Sequence, residues 1–249
     1  MSRWRAAGLH LGISATIAVA AVALMLAVWY PGALFEAAGG SALLFILVGV
    51  DVVLGPLMTL IIFRSGKWGL RFDLAAIGTV QLLALAYGAH VVFLARPAFI
   101  VFVVDRFELA TAADLDPREL AKAKYPQFRS APWTGPKFAV ARMPTDPAEH
   151  NQVVLAAMRG LDLQDFPKYW VPYADGRSLV RAKALTVAGL READPQTAAA
   201  VDAYLRSSGT RPEDVRCLLL RTRFDWLAVL LDPVSAAPLR LVLGAAVGG

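Results

Sequence analysis

Hydrophobic and polar positions divide the chain into two regimes. Over the first 95 or so residues the apolar stretches are long and nearly uninterrupted; beyond them the runs shorten and charges and prolines punctuate the chain. Three stretches, about 9–29, 41–63 and 72–95, each approach or exceed the ~20 apolar residues needed to cross a hydrocarbon core. They are expected to form a transmembrane domain of three helices over residues 1–96. After Pro97 the periods change. Phe99 to Val104 is a β-branched and aromatic run of strand length, and Lys137 to Arg142 alternates as a short strand. Asp116-Pro117 and Asp146-Pro147 look like helix starts, the second helix running to about 159. The segment 178–190 has helical periodicity, and 195–206 reads as a helix stopped by Ser208-Gly209. The runs 215–221, 226–231 and 239–243 read as strands. Residues 97–249 are therefore expected to form an α+β domain, possessing enough apolar residues to bury its own core and fold by itself. The antiparallel pattern belongs to its last three strands.

Charge orients this arrangement. Arg3 and Arg5 precede the first stretch, and Arg64, Lys67 and Arg71 lie between the second and third. The short loop 32–40 has Glu36 and no Lys or Arg. The positive-inside rule puts the amino terminus and the basic loop in the cytoplasm, and three crossings put the carboxyl-terminal domain on the far side, which in a bacterial inner membrane is the periplasm. The first stretch also resembles a signal peptide. It is too long for a typical apolar region of one, and WYPG stands where small cleavage-site residues belong, so a retained helix is expected.

Composition sharpens the class. The 249 residues are 57% hydrophobic and only 18% charged, with a mean hydropathy of +0.52. A soluble domain carries roughly 25% charged residues. The net charge of +5 is scattered, without a basic run interleaved with aromatics, so no nucleic-acid partner is expected. The lipid bilayer is the expected surrounding. The single cysteine, Cys217, excludes an intrachain disulfide and a multi-cysteine metal site.

The candidate chemistry is sparse. Asp51 lies near the middle of the second stretch, where a carboxylate costs about 2.5–3.5 kcal/mol on insertion scales. It is expected to be a polar anchor between helices, with Gln81, Tyr87 or Thr16 as companions; a proton or ion relay is the alternative. Gly55-Pro56, one turn on, is expected to kink the helix and admit a neighbour closely. Asp51, Gly55, Pro56, Gln81 and Tyr87 are thus the helix-packing candidates. His10, His90 and His150 lack metal-ligand spacing, and no nucleophile elbow, P-loop or dinucleotide fingerprint is present. No catalytic residue, metal or cofactor is expected. Trp133, Tyr169, Trp170 and Tyr173 are candidates for a partner surface, with core packing as the other reading.

Four blocks carry a family resemblance: WYPGALFEAAGG (29–40), VGVDVVLGPLMTLIIF (48–63), FDLAAIGTVQLLALAYG (72–88) and ARPAFIVFVVDRFEL (95–109). Together they resemble the type IV pilin accessory proteins of the TfpX/TfpZ kind, over about the first 110 residues. The resemblance implies a polytopic inner-membrane protein that acts as a chaperone-like accessory to assembly of a cognate type IV pilin, and it brings no catalytic residues. Self-association of the chain stays open. Two other functions stay open on the residues themselves. One is a membrane-bound enzyme with a periplasmic site modifying pilin or envelope components. The other is a small transporter or channel subunit resting on Asp51.

Overall fold

The structure is a computed structural model describing residues 2–63 and 68–244; the side chains of 42, 43, 46–48, 50 and 51 also lie outside the described residues. Arg64 and Lys67 of the basic loop, and the Asp51 side chain, are therefore not described. The chain forms two compact units. The first comprises Met1–Trp29 and Gly39–Ala95, and the second Tyr30–Ala38 and Arg96–Gly249.

The first unit is helical. Helix α1 (Arg3–Leu24) starts at Ser2, whose hydroxyl accepts the Arg5 N–H, and runs into a π-helical turn at Met25–Trp29. Before α3, a short helix α2 (Leu34–Ala37) interrupts the path and belongs to the other unit. Then come α3 (Gly40–Gly49), a π-helical turn (Val50–Leu54) and α4 (Gly55–Ile62), continuous in backbone. Helix α5 (Leu70–Ala95) closes the unit. The π-turn has a local cause. Pro56 cannot donate to the carbonyl one turn back and its ring crowds that turn, so the helix widens just ahead of it. Among the described residues, two helices, Arg3–Trp29 and Leu70–Ala95, are long and apolar enough to cross a membrane.

The second unit is α+β, built on one seven-stranded mixed sheet. Its strands are β1 (Pro97–Val103), β2 (Arg106–Thr111), β3 (Lys137–Ala141), β4 (Trp170–Pro172), β5 (Arg216–Arg221), β6 (Trp226–Leu231) and β7 (Pro238–Leu243), in the order β4-β3-β1-β2-β5-β6-β7. The last three form the expected antiparallel meander. Its helices are α6 (Pro117–Leu120), α7 (Pro147–Ala157), α8 (Tyr173–Lys183), α9 (Val187–Ala193) and α10 (Pro195–Ser208). Three of them start on the same device: Asp116, Asp146 and Asp194 each accept a backbone N–H of the first turn, with proline at the first helical position. Gly209 ends α10 in the left-handed conformation, φ 68°.

The segment expected as one helix over 178–190 is two, α8 and α9. Between them Leu185 exchanges both backbone hydrogen bonds with Cys217, each 2.8 Å. This follows from the sheet. The parallel pairing of β2 with β5 covers only Phe107↔Leu220 and Glu108↔Arg221, so the first part of β5 is open and takes Leu185 as its neighbour.

Strand β1 is buried along its whole length, because both faces of the sheet are covered. Phe99, Val101 and Val103 pack with Phe128, Leu163 and Trp170 on one side. Ile100 and Phe102 pack with Phe107, Leu220 and Leu227 on the other, beneath α8. Helices α9 and α10 lie on the outer strands through Leu190, Val201 and Leu205.

The residues between α1 and α3, expected as a plain connecting loop, are part of this core. Tyr30–Ala38 forms a strap across the sheet face that α8 also covers. Leu34 and Ala37 have no exposed surface and join Ile100, Phe102, Leu218 and Leu227. The Ala37 carbonyl accepts a hydrogen bond from Thr222 Oγ1 at 2.9 Å.

Candidate functional site

In the helical unit the packing residues gather around α4. Gly55 is buried, and the Gln81 side chain from α5 lies directly over it. A Cβ at position 55 would stand 1.9 Å from Gln81 Nε2. Only glycine permits that approach. One turn further, Thr59 is buried, and its hydroxyl shares a 2.6 Å hydrogen bond with His10 Nδ1 of α1. Helix α4 is thus held to α5 by a glycine contact and, one turn on, to α1 by a polar pair. Beside Gln81 a nearly all-apolar cleft of about 390 Å³ opens between α4 and α5, walled by Leu54, Met58, Ile77 and Val80.

Of the helix-packing candidates, Gly55, Pro56 and Gln81 come together here, Gly55 and Pro56 being buried. Tyr87 is exposed on α5, away from that cluster. Thr16, offered as a companion for Asp51, donates instead to the Gly12 carbonyl of its own helix at 2.8 Å. The His10–Thr59 pair was not legible as a pair: the two residues are 49 apart in sequence, and only the helix packing brings them together.

The Gly55 contact gives a graded prediction. The group in the way is the far end of a flexible side chain, so Gly55→Ala is expected to be mild, Gln81 swinging aside. Gly55→Leu is expected to lower the amount of protein recovered from membranes several-fold, because α5 itself must then retreat. Quantitative immunoblots of membrane fractions measure this; wild-type abundance for Gly55→Leu would show that the close approach is dispensable.

In the sheet unit the aromatic candidates separate. Trp170 has no exposed surface and packs edge-on to Phe99 and Phe128 at ring-centroid distances of 5.0 and 5.7 Å. It is core, because β4 pairs with β3 and turns the indole inward. Tyr169 is also buried, with Lys168 Nζ 4.5 Å from its ring centre. Tyr173 is half-buried, its hydroxyl donating to the Ala236 carbonyl, and burial pushes that hydroxyl up to about 12. Trp133 alone of the four is exposed, at 77%.

Two ionic features lie in the same unit. Glu108 of β2 is buried and accepts from Arg106 Nε at 2.7 Å and from Arg221 Nε at 2.9 Å. The second bond crosses the β2–β5 pairing, where the ladder is shortest. At the junction with the helices, Arg96 is buried and donates through Nε and Nη2 to the Pro132 carbonyl, at 3.0 and 2.9 Å. Burial pushes the Tyr30 hydroxyl up to about 12, the Arg96 charge pulling the other way. Cys217 is buried and its thiol is pushed up to about 11 by desolvation. It is expected to stay unreactive to thiol reagents at neutral pH until the domain unfolds. Among the described residues no group of three or more His, Cys, Asp or Glu is placed to hold a metal ion.

The family described as "Fimbrial assembly protein FimB" matches residues 1–39, a segment ending just past the strap. The fimbrial assembly protein of serogroup E1 of Dichelobacter nodosus is 31% identical over 220 residues, 88% of this chain and 80% of that protein. The serogroup I protein of the same organism is 29% identical over the same share of each. That of serogroups C1 and C2 is 34% identical over 118 residues, 47% of this chain and 90% of that one. No solved structure matches the chain.

Proposed function

Because the chain belongs to the family of fimbrial assembly proteins, we propose that it is an inner-membrane, chaperone-like accessory promoting assembly of a cognate type IV pilin. In this reading the amino terminus is cytoplasmic, three helices cross the membrane, and the sheet domain is periplasmic.

The observation that carries the membrane arrangement is the strap. Leu34 and Ala37 are packed in the core of the sheet domain, which supports a reading in which residue 38 and residue 96 lie on the same side of the membrane. The chain between them must cross an even number of times. If Leu70–Ala95 crosses once, the continuous helical run of α3, the π-turn and α4 supplies the return. The Lys/Arg bias of the amino terminus and the 64–71 loop then sets the direction. A pilin held in the membrane by an apolar helix, with a head outside, presents the same two layers as this protein, so one partner could be met at both levels.

The test has two arms. Deleting the gene is expected to remove surface pili while pilin synthesis continues, and the tagged protein is expected to co-purify with its pilin; normal piliation in the deletion strain would refute the function. Alkaline phosphatase fused after Gly249 is expected to be active and fused after Lys67 inactive. The reverse pattern would overturn the orientation.

Asp51 is proposed as a structural anchor of the second span. A carboxylate in hydrocarbon is held neutral or hydrogen-bonded, and an amide of the same shape can take over that bonding. Asp51→Asn is therefore expected to keep membrane abundance and piliation near wild type, and Asp51→Leu to lower both. Abundant Asp51→Asn protein without pili would instead point to a titrating role.

A further inference from the structure

The end of the sheet domain at which the chain enters and leaves carries aromatic and basic side chains of the kind that sit in a bilayer interface. Both joints locate that end. At the first, the Arg96 carbonyl accepts the Ala112 N–H at 3.0 Å, its guanidinium holds the Pro132 carbonyl, and Pro97 pairs with Thr111. At the second, Thr222 holds the Ala37 carbonyl. The strand directions agree. The start of β1, the end of β2, the start of β3 and the β5–β6 turn all lie at one end, since β3 and β1 are parallel, β2 and β5 are parallel, and β1 and β2 are antiparallel.

Next to each joint stands an exposed aromatic residue. Trp133 follows Pro132, and Phe224 lies two residues past Thr222, with 77% and 61% of their surface exposed. Arg223 lies over the Phe224 ring at 5.8 Å, and Lys137 at the start of β3 is exposed. Trp226 opens β6 at the same end, partly exposed. The opposite end, reached by the β1–β2 and β6–β7 turns, exposes the aliphatic Val104 and Val234. Tryptophan and other aromatics with flanking Lys and Arg are the residue types that settle at headgroup level, ring inward and cation towards anionic phosphate.

We propose that this end of the domain, with Trp133 and Phe224 as anchors and Lys137 and Arg223 as headgroup contacts, rests in the lipid interface of the membrane that carries the chain. The proposal rests on the spanning arrangement given above. Arg96, buried in the domain, follows directly on α5, and Ala37, tied to Thr222, stands three residues ahead of Gly40, the start of α3, so few residues link the domain to the helices. Seating it by its edge holds it in a fixed attitude to the bilayer.

The test uses the full chain in nanodiscs of phosphatidylethanolamine and phosphatidylglycerol. Single nitroxide labels are placed by Trp133→Cys, Phe224→Cys, Val104→Cys and Val234→Cys, with Val19→Cys and Val80→Cys marking the spans. All six native residues are exposed in the structure, and buried Cys217 remains unlabelled, which also reports that each variant is folded. Collision with oxygen relative to aqueous nickel complex is expected to be several-fold higher at 133 and 224 than at 104 and 234. Equal, water-like ratios at all four sites, with 19 and 80 in hydrocarbon, would overturn the interfacial seat alone. Low ratios at 133 and 224 with dipolar broadening between labels would overturn it in favour of a contact between copies of the chain. Water-like ratios at 19 and 80 would overturn the spanning arrangement and the seat with it.

Discussion

Replacing Leu34 by aspartate is expected to abolish the folded sheet domain. Leu34 comes from the strap, has no exposed surface, and packs in the same core as Ile100, Phe102 and Leu227. Truncation to alanine alone removes a fully buried leucine, worth about 2–5 kcal/mol. Aspartate adds the cost of a carboxylate with no partner in an apolar site. Domains of this size are stable by only about 5–15 kcal/mol in total, so the loss is a large share of the whole. The readout is Cys217, whose thiol is shielded in the folded domain. Its reactivity in membranes is expected to rise to that of denatured protein in Leu34→Asp, and little or not at all in Leu34→Ala. The same reasoning bears on a fragment of residues 96–249. It lacks the strap and leaves the Leu34 site empty, so it is expected to melt at lower temperature than the same fragment with Tyr30–Ala38 joined to it by a flexible linker. Equal melting of the two would show that the strap lies on the core without stabilising it.

The second large effect is expected at Gly176. This glycine of α8 sits on Val140 of β3, and a Cβ there would stand 2.5–2.6 Å from all three side-chain carbons of the valine. Unlike Gln81 over Gly55, Val140 cannot move aside. It is β-branched, fully buried and fixed in a central strand. Gly176→Ala is therefore expected to cost about 1–3 kcal/mol through overpacking, and Gly176→Leu to prevent folding. Adding Val140→Ala should recover part of the alanine variant's loss, a coupling that a double-mutant cycle in thermal or urea denaturation measures. Additive losses would place the strain elsewhere.

What could be read in the sequence follows from how local each signal is. The Asp-Pro helix starts at 116 and 146, the helix from 195 with its Gly209 stop, and the strands β1, β3, β5, β6 and β7 are written within a few residues, and the structure has them close to where the pattern put them. Strand β2 was harder to see. Arg106 and Glu108 alternate with Phe107 and Leu109, but charge on a buried strand reads as loop until Arg221 arrives to pair with Glu108. The break between α8 and α9 depends on Cys217, and the strap on a sheet face assembled from distant segments. Nothing in LFEA says that Leu34 will meet Leu227. At the packing site, Gly55 and Pro56 were legible because glycine and proline are informative inside an apolar helix. His10 was not, since its partner is supplied by another helix. Trp170 and Trp133 show the limit for aromatics: one fills the core and the other lies open, and composition alone does not separate them.

The strap also sets an order of events during synthesis. Ala37 and its hydrogen-bond partner Thr222 are 185 residues apart. At about 5–20 residues per second, the strap waits roughly 10–40 s between leaving the ribosome and meeting the strands that receive it. During that interval Leu34 and Ala37 have no core to enter, and the domain made afterwards has a matching vacancy until the two meet. Contacts of such long sequence separation are the slow ones to form. The last strands to be synthesised therefore decide when the strap becomes structured, and a stalled or truncated chain would leave strap and vacancy exposed together.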